Sequence, residues 1–197
     1  HYPEDRIQVI PSVISPTFRK RATEPSHPTS RVLHIGLADN KNLEQHARAL
    51  AGLEVHLRII GEPSSDQIAM LDGHGIDFST ASKLSEEELQ EEYAAADVLL
   101  FCSTLEGYGM PIIEAQTIGV PVVTSDRSPM RETAGDGAVL ANPDDADSIR
   151  EAVLRVLNEG GLRMELVAKG QVNAAACSAE RSAQLHAELY RALMPAG

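Results

Sequence analysis

Two glutamates flank a glycine-containing loop in the middle of this sequence, and they are the side chains best placed to do chemistry. The loop reads Glu106-Gly-Tyr-Gly-Met-Pro-Ile-Ile-Glu114, so seven residues separate the two carboxylates. Glycines let the backbone approach a ligand closely, and the free N–H groups at the start of a following helix carry partial positive charge. Amide donors suit a phosphate or a sugar oxygen, whereas carboxylates suit hydroxyls. The combination therefore favours a sugar nucleotide over a bare phosphate as the ligand.

The loop lies inside a predicted strand–helix–strand unit. Val98–Cys102 and Val120–Thr124 are short, unbroken apolar runs, which are typical of parallel strands buried on both faces. A helix from about Pro111 to Thr117 is predicted between them, because proline suits a first helical position and Gly119 suits the end. Glu114 then lies in the first turn and leans back toward the loop, so that both carboxylates face one site. Because the loop follows a strand, it lies at the carboxyl edge of the sheet, where open α/β sheets bind ligands.

The residues alone leave other interpretations of the two carboxylates open. Both glutamates can be solvated charges that the helix dipole favours near a helix start. A pair of carboxylates can also serve a glycosidase, one as the acid and the other as the nucleophile.

The segment resembles the two-glutamate signature of the family 4 retaining glycosyltransferases. The resemblance rests on the run from Glu106 to Glu114, on Ala115 and on the following Gly119-Val-Pro-Val-Val. It extends over nearly the whole chain and includes Gly135-Asp-Gly-Ala-Val-Leu-Ala-Asn-Pro-Asp-Asp. It implies a GT-B fold, in which two Rossmann-like domains face a cleft, and it makes this chain the C-terminal, donor-binding half.

The resemblance also implies roles for individual residues. Glu114 would hold the ribose hydroxyls of the donor, and Glu106 would lie near the hydroxyls of the transferred sugar. Lys41, in the turn after the first strand, would contact the donor diphosphate and stabilise the leaving group, so Lys41 and Glu106 are the predicted catalytic residues. The predicted donor-binding set is Gly36, Asn40, Lys41, Lys83, Leu84, Glu106, Gly107, Tyr108, Gly109, Met110 and Glu114.

The resemblance also implies which parts of the donor two segments of this set would contact. The N–H groups of residues 107–110 would meet the sugar or the distal phosphate, and residues 81–84 would border the nucleobase. One position departs from the family, since Leu37 stands where most members have an arginine just after the strand glycine. Asn40, Asn42 or a group of an N-terminal domain would then substitute for that arginine. A nucleoside-diphosphate sugar is the expected substrate, and neither a cofactor nor a metal is expected.

Composition limits the function classes. The 197 residues are 43% hydrophobic, which supports a real core, and a formal net charge of −12 argues against a nucleic-acid partner. Cys102 and Cys177 do not make a disulfide framework, which favours a reducing cytosol. No run is long enough to cross a membrane. The seven histidines show no metal-ligand spacing, so His46, His56 and His74 are expected at surface or packing positions.

Residues 1–30 are predicted to be an interdomain crossover segment. They contain five of the eleven prolines and one short apolar stretch, Ile7–Ile10, which predicts a brief strand. The alternative that stays open is a disordered surface arm. Because the segment resembles the family's crossover between domains, and the chain starts at His1 without a methionine, an acceptor-binding N-terminal domain is expected to precede it.

Residues 31–197 are predicted to be a Rossmann-like domain, an α/β fold with a parallel sheet and helices on both faces. Ser85 and Glu88 form a predicted capping box, and Asn42 is a predicted helix N-cap. Further strands are predicted at 31–36, 54–60, 76–80 and 138–140, and further helices at 42–50, 64–71, 85–96, 146–157, 162–175 and 179–193, with a turn or short helix at 129–134.

The chain is therefore expected to be the donor-binding domain of a retaining enzyme of polysaccharide biosynthesis. With its N-terminal domain, it would transfer a hexosyl group from a nucleoside-diphosphate sugar to a glycan or lipid-linked acceptor; alone, it would bind nucleotide without transferring sugar. A cytoplasmic location is expected, with association at the inner face of the membrane through the N-terminal domain. The alternatives are a non-catalytic nucleotide-binding or regulatory module and a GT-B sugar-nucleotide epimerase, which would need acid and base residues of its own.

Overall fold

In residues 7–194, which a computed structural model describes, six strands form one parallel sheet. The strands are β1 (Ser30–Ile35), β2 (Val55–Ile60), β3 (Asp77–Ala81), β4 (Val98–Phe101), β5 (Val122–Ser125) and β6 (Ala138–Ala141). Their order across the sheet is β3-β2-β1-β4-β5-β6, and every neighbouring pair is parallel. The predicted Rossmann-like α/β sheet is confirmed.

Helices connect the strands and cover both faces of the sheet. They are α1 (Leu43–Leu50), α2 (Ser65–Gly73), α3 (Glu86–Ala94), α4 (Met110–Ile118), α5 (Met130–Ala134), α6 (Ala146–Asn158), α7 (Gly160–Ala175) and α8 (Ala179–Leu193), with a 3-10 turn at Asp39–Lys41 before α1. The predicted capping box of α3 is confirmed, because Ser85 Oγ accepts from the Glu88 amide at 3.2 Å and Glu88 Oε2 accepts from the Ser85 amide at 2.7 Å.

The alternation of side chains along the buried strands creates two apolar cores, one on each face of the sheet. Val98, Leu100 and Cys102 pack in the same core as residues of α1 and α6. Leu99 and Phe101 pack in the other core, with residues of α3, α4 and α5. Because successive residues of a strand face opposite sides, four buried residues of β4 serve both cores.

The strand order reverses between β1 and β4. From β1 the chain adds β2 and β3 on one side, and from β4 it adds β5 and β6 on the other. The loops that follow β1 and β4 therefore lie next to each other at the carboxyl edge and lead into helices on opposite faces of the sheet, and the crevice at this edge is the usual ligand position in such sheets. Lys41 lies in the first of these loops and Glu106 in the second.

Helix α7 packs closely on α4, the helix that carries Glu114. A Cβ added to Gly170 would lie 2.8 Å from Gln116 Cγ, and one added to Gly137 would lie 2.5 Å from Gly170 Cα. Gly170 therefore lets α7 lie directly against the Gln116 side chain of α4 and against the Gly137 backbone before β6, as closely as glycine allows. Asn173 Nδ2 also donates to Gln116 Oε1 at 2.8 Å, so that a side-chain hydrogen bond joins α7 to α4.

The predicted strand at Ile7–Ile10 is wrong. These residues form no strand and are mostly exposed, and Pro11 follows them, which cannot donate to a ladder. Residues 1–6 of the predicted crossover segment lie outside the described residues. From residue 14 onward the segment runs along the domain, because the Ile14 amide donates to the Cys177 carbonyl at 3.2 Å and Phe18 is buried.

Helix α8 packs less closely than the others. Ser182 is its buried residue, whereas Tyr190 and Leu193 are largely exposed. Among the helices of the described chain, none has the combination of length and apolar composition that crossing a bilayer requires.

Candidate functional site

Lys41 and Glu106 meet in the crevice between the loops after β1 and β4. Lys41 Nζ donates to Glu106 Oε1 at 2.6 Å, and the two side chains are only 19% and 12% exposed. Although 65 positions separate them in the sequence, the reversal of strand order places their loops side by side. The two residues predicted to be catalytic thus form an ion pair that is largely shielded from water.

A narrow slot holds the Lys41 side chain. Gly36 precedes the 3-10 turn with a φ of +85°, which lies in the left-handed region that favours glycine. A Cβ at Gly36 would lie 3.1 Å from Lys41 Cε and 3.2 Å from Cγ, so the lysine stem lies directly on the glycine. Lys41 Nζ also lies 4.8 Å from the centroid of the Phe101 ring, within reach of cation–π attraction.

Two asparagines join the loop after β1 to neighbouring loops. Asn40 Nδ2 donates to the Leu105 carbonyl at 2.7 Å, and the Asn40 carbonyl accepts from the Thr104 amide at 2.8 Å. Asn42 Nδ2 donates to the carbonyls of Cys102 at 3.0 Å and Pro143 at 2.7 Å. Asn42 precedes α1 at the predicted N-cap position and has a left-handed backbone, but its side chain makes no capping bond. The predicted capping by its side chain is therefore wrong. The side-chain amides of Asn40 and Asn42 thus hold the loops around Lys41 together.

A buried histidine pair lies beneath the same loop. His34 Nε2 is 2.7 Å from the Gly36 carbonyl, and His34 Nδ1 is 2.9 Å from His46 Nδ1. A carbonyl only accepts, so His34 Nε2 carries the proton; in neutral His34, Nδ1 then accepts from His46 Nδ1–H. Burial lowers the pKa of His34 to about 4, and the Lys41 charge acts in the same direction. Burial and the neighbouring His34 lower the pKa of His46 well below its ordinary value. The predicted packing position of His46 is confirmed.

This pair should make the fold sensitive to acid. Between pH 6.5 and about 4 the unfolded chain binds protons at His34 that the folded chain does not, so stability falls as pH falls through this window. For His34 alone we expect a loss of about 2 kcal/mol between about pH 7 and about pH 5. Denaturant unfolding of wild type and His34→Gln at both pH values checks this, with His27→Gln at an exposed position as the control. An equal loss of stability in wild type and His34→Gln would contradict the assignment.

The glycine-containing loop has backbone amides without a hydrogen-bond partner in the described chain. In the described part of the chain, the N–H groups of Gly107, Tyr108 and Gly109 donate no hydrogen bond to another group. Gly109, the residue before α4, has a φ of +99°. Thr133 Oγ1 donates to the Tyr108 carbonyl at 2.6 Å and fixes the loop from α5. The Tyr108 hydroxyl lies 3.5 Å from Cys177 Sγ, in the segment after α7, and a role of the Tyr108 amide in donor binding stays a prediction.

Glu114 is half-buried on α4 and has a different partner from Glu106. The helix begins at Met110, so Glu114 is its fifth residue and lies just beyond the predicted first turn. Tyr93 of α3 donates its hydroxyl hydrogen to Glu114 Oε2 at 2.5 Å. Burial raises the pKa of Glu114, the Tyr93 hydrogen bond opposes that rise, and the charge of Glu86 adds to it.

The predicted nucleobase segment, residues 81–84, follows β3 and leads into α3. Lys83 has a left-handed φ of 55°, and its exposed ammonium lies 3.1 Å from Glu62. Leu84 is half-buried. Glu86, two residues further on, is close enough to act on the Glu114 carboxylate, which links this segment to the site.

Sequence reasoning missed three side chains of the site. Phe101 is the last residue of β4 and lies under the Lys41 ammonium, and Tyr93 binds Glu114. Arg127 follows β5 at the same sheet edge, where its Nη1 donates to the Thr104 carbonyl at 3.4 Å and its Nη2 lies 2.6 Å from Asp144. A basic residue after a strand end was the available signal for Arg127, whereas Tyr93 carried none.

Among the described residues, no group of three or more histidine, cysteine, aspartate or glutamate side chains is arranged to hold a metal ion. The polar groups of the candidate site are one ammonium and backbone amides, which donate hydrogen bonds, and two carboxylates, which accept them. That set can bind an anion next to hydroxyl groups.

Comparisons with known proteins give the family to which this chain belongs. Residues 19–172 match the family described as Glycosyl transferases group 1. The chain is 35% identical over 108 residues to an O-antigen chain mannosyltransferase B of Escherichia coli. The aligned residues cover 55% of this chain and 28% of that protein. The matched region is therefore less than a third of the length of this curated relative.

Solved structures share the fold. A sucrose-phosphate synthase from Thermosynechococcus elongatus superposes with a TM-score of 0.84 at 21% identity, over 94% of this chain and 52% of that one. The Anabaena protein HepE, solved in complex with UDP and glucose, gives a TM-score of 0.71 at 20% identity, over 84% of this chain and 49% of that one. Since the family match spans more than half of the chain, the chain belongs to the group 1 glycosyltransferases.

Proposed function

We propose that this chain is the donor-binding domain of a retaining hexosyltransferase, which passes a sugar from a nucleoside diphosphate to a glycan or lipid-linked acceptor. The observation that carries the proposal is the shielded Lys41–Glu106 ion pair, 2.6 Å long, at the reversal of strand order. Family membership supports it, and so does the similarity of fold to a protein solved with UDP and glucose.

In the proposed reaction, the donor diphosphate replaces Glu106 as the partner of Lys41. The leaving nucleoside diphosphate gains negative charge as the glycosidic bond breaks, and a fixed cation stabilises that charge more than it stabilises the bound substrate. Because Lys41 is held between Gly36 and Phe101, the cation is already in place and needs little rearrangement.

The other groups of the site then bind and orient the donor. Glu106, once released from Lys41, accepts a hydrogen bond from a hydroxyl of the transferred sugar. The free amides of residues 107–109 contact the sugar or the distal phosphate, and Glu114 accepts hydrogen bonds from the ribose. The family resemblance implies front-side attack, in which the leaving phosphate takes the acceptor proton, so no side chain of this domain serves as a covalent nucleophile.

An acceptor-binding N-terminal domain and a cytoplasmic location, with association at the inner face of the membrane, are parts of the same proposal. The free thiols of Cys102 and Cys177, both buried, support a reducing compartment.

The chain by itself is expected to bind nucleoside diphosphates without transferring sugar. Binding to the folded state raises the melting temperature, with about 2.7 kcal/mol of stabilisation at 100 times the dissociation constant. Thermal-shift measurements with UDP, GDP, ADP and the corresponding sugar nucleotides test this. The matching nucleoside monophosphates are the control, because they lack the distal phosphate and should stabilise less. No shift with any nucleoside diphosphate would contradict the proposal.

A transfer assay on the complete protein separates the proposed enzyme from a non-catalytic nucleotide-binding module. Transfer of labelled sugar to an acceptor supports the proposal. Binding without transfer would favour the module, and conversion of the donor into its epimer would favour an epimerase.

A further inference from the structure

Tyr93 is a fully buried polar residue next to the proposed donor site. Its side chain is 0% exposed, and its ring meets the Phe18 ring edge-on, with centroids 6.0 Å apart and planes at 85°. Phe18 belongs to the segment before β1, so α3 and that segment fix the ring together. The hydroxyl therefore has a defined position and donates to Glu114 Oε2 at 2.5 Å.

This bond occupies one of the two carboxylate oxygens of Glu114. In the described chain, Oε2 is the carboxylate oxygen of Glu114 that has a hydrogen-bond partner, while Oε1 has none. A hydroxyl donor to a carboxylate at this distance is a charge-assisted bond, which is about twice as strong as a neutral one. The bond holds the otherwise rotatable carboxylate in one orientation and leaves the second oxygen to accept from a ligand.

We propose that Tyr93 is a positioning residue for the donor, whose hydroxyl holds the Glu114 carboxylate charged and oriented toward the hydroxyls of the nucleotide ribose. The inference rests on the proposed function, because it assigns Tyr93 to the same nucleotide site. It makes α3 a determinant of nucleotide affinity, although Tyr93 itself is too deeply buried to touch the ligand.

Because of the charges around Glu114, the inference predicts how nucleotide affinity depends on pH. Burial and Glu86 favour the neutral form of Glu114 and raise its pKa, and the Tyr93 hydroxyl opposes them by bonding to the charged form. Glu86 is held by the segment before β1, since its Oε2 accepts from Ser15 Oγ at 2.7 Å and Thr17 Oγ1 at 3.0 Å. In the described chain, no titratable group of α5, α7, β4 or β5 contributes to this shift.

Tyr93 stays a donor throughout the working range of pH. Burial and the Glu114 charge raise its pKa well above the ordinary value. Removing the hydroxyl therefore leaves the rise in the Glu114 pKa unopposed. Since the charged carboxylate binds the ribose, nucleotide affinity falls as pH falls through the Glu114 pKa, and loss of the Tyr93 hydroxyl moves that fall to higher pH.

Calorimetric titration with the nucleoside diphosphate that stabilises wild type most, between about pH 5 and about pH 8, tests the inference. Tyr93→Phe should weaken binding at pH 7 by about 10- to 150-fold, the loss of one hydrogen bond to a charged group. The pH midpoint of affinity should also rise. Tyr190→Phe, on the exposed face of α8, is the matched control and should change neither quantity.

A double mutant separates positioning through Glu114 from a general structural effect. If Tyr93 acts through the carboxylate, Tyr93→Phe should have little further effect on affinity in a Glu114→Gln background. An equal loss in both backgrounds, or an unchanged pH midpoint, would overturn the inference while leaving the proposed function standing. If wild type binds no nucleoside diphosphate, the proposed function falls and the inference with it.

A second variant tests the inference even if Tyr93→Phe does not fold. Tyr93→3-fluorotyrosine keeps the ring between Phe18 and α4 but carries a more acidic hydroxyl, which is a stronger donor to a carboxylate. It should move the pH midpoint of nucleotide affinity to lower pH. A midpoint that stays in place, or that rises, would overturn the inference.

Discussion

Replacing Lys41 with alanine in the complete enzyme is expected to slow sugar transfer by about 30- to 1000-fold. The loss corresponds to roughly 2–4 kcal/mol, which is typical when a preorganised group facing developing charge is removed. The physical reason is that Lys41 Nζ is the cation held in the crevice, shielded from water and fixed over Phe101. Steady-state kinetics with a saturating acceptor, together with the affinity for the donor, measure the effect.

Two further variants sharpen this test. Lys41→Arg should not fully restore transfer, because a planar guanidinium is not a point charge. The arginine side chain would also have to fit against Gly36, which the lysine methylenes already contact closely. Lys169→Ala on α7 is the matched control, since that lysine pairs with Glu165 on the outside of the domain. Unchanged kinetics for Lys41→Ala would remove Lys41 from the site.

Glu106→Gln and Glu114→Gln are expected to have different effects, the first on recognition of the transferred sugar and the second on binding of the nucleotide. Glu114→Gln should weaken free nucleoside diphosphate and sugar nucleotide alike, because the ribose loses a charged acceptor. Glu106→Gln should slow transfer about 10-fold or more and reduce discrimination between sugar epimers, since a bond to a neutral amide is about half as strong. It should not weaken free nucleoside diphosphate, because Glu106 competes with the diphosphate for Lys41.

The measurement is calorimetric binding of nucleoside diphosphate and of sugar nucleotide to each variant and to wild type. Glu151→Gln, at an exposed position on α6, controls for the change of net charge. Equal losses of free-nucleotide affinity in Glu106→Gln and Glu114→Gln would mean that the two carboxylates do not divide the donor as proposed.

Local patterns in the sequence were enough to predict the sheet and the position of the site. The apolar runs of β4 and β5 and the glycine after α4 mark one strand–helix–strand unit, and they are correct within two residues. The same kind of pattern failed at Ile7–Ile10, because an apolar run becomes a strand only where a neighbouring strand can pair with it. Residues 7–9 are exposed and have no such partner in the described chain.

Contacts between distant elements could not be predicted in this way. Lys41 and Glu106 were each identified, but their ion pair depends on the order of strands across the sheet. Tyr93 reads as an ordinary apolar position of α3, and its bond to Glu114 exists only because α3 and α4 pack side by side. The residues that contact the ligand were therefore visible in the sequence, and the residues that position them were not.

Backbone amide NMR of the ¹⁵N-labelled chain, titrated with the nucleoside diphosphate that stabilises it most, tests the location of the donor site most directly. We expect the largest shifts in residues 36–41 and 107–114, which line the crevice between the loops after β1 and β4. A competing place is the hollow of about 500 Å³ between α1 and α2, which shares residues 37–39 with the loop after β1 and is otherwise lined by α1 and α2 residues such as Glu44, Arg48 and Met70, so shifts in residues 107–114 decide between the two places. Saturable shifts confined to that hollow, with residues 107–114 unaffected, would contradict the account.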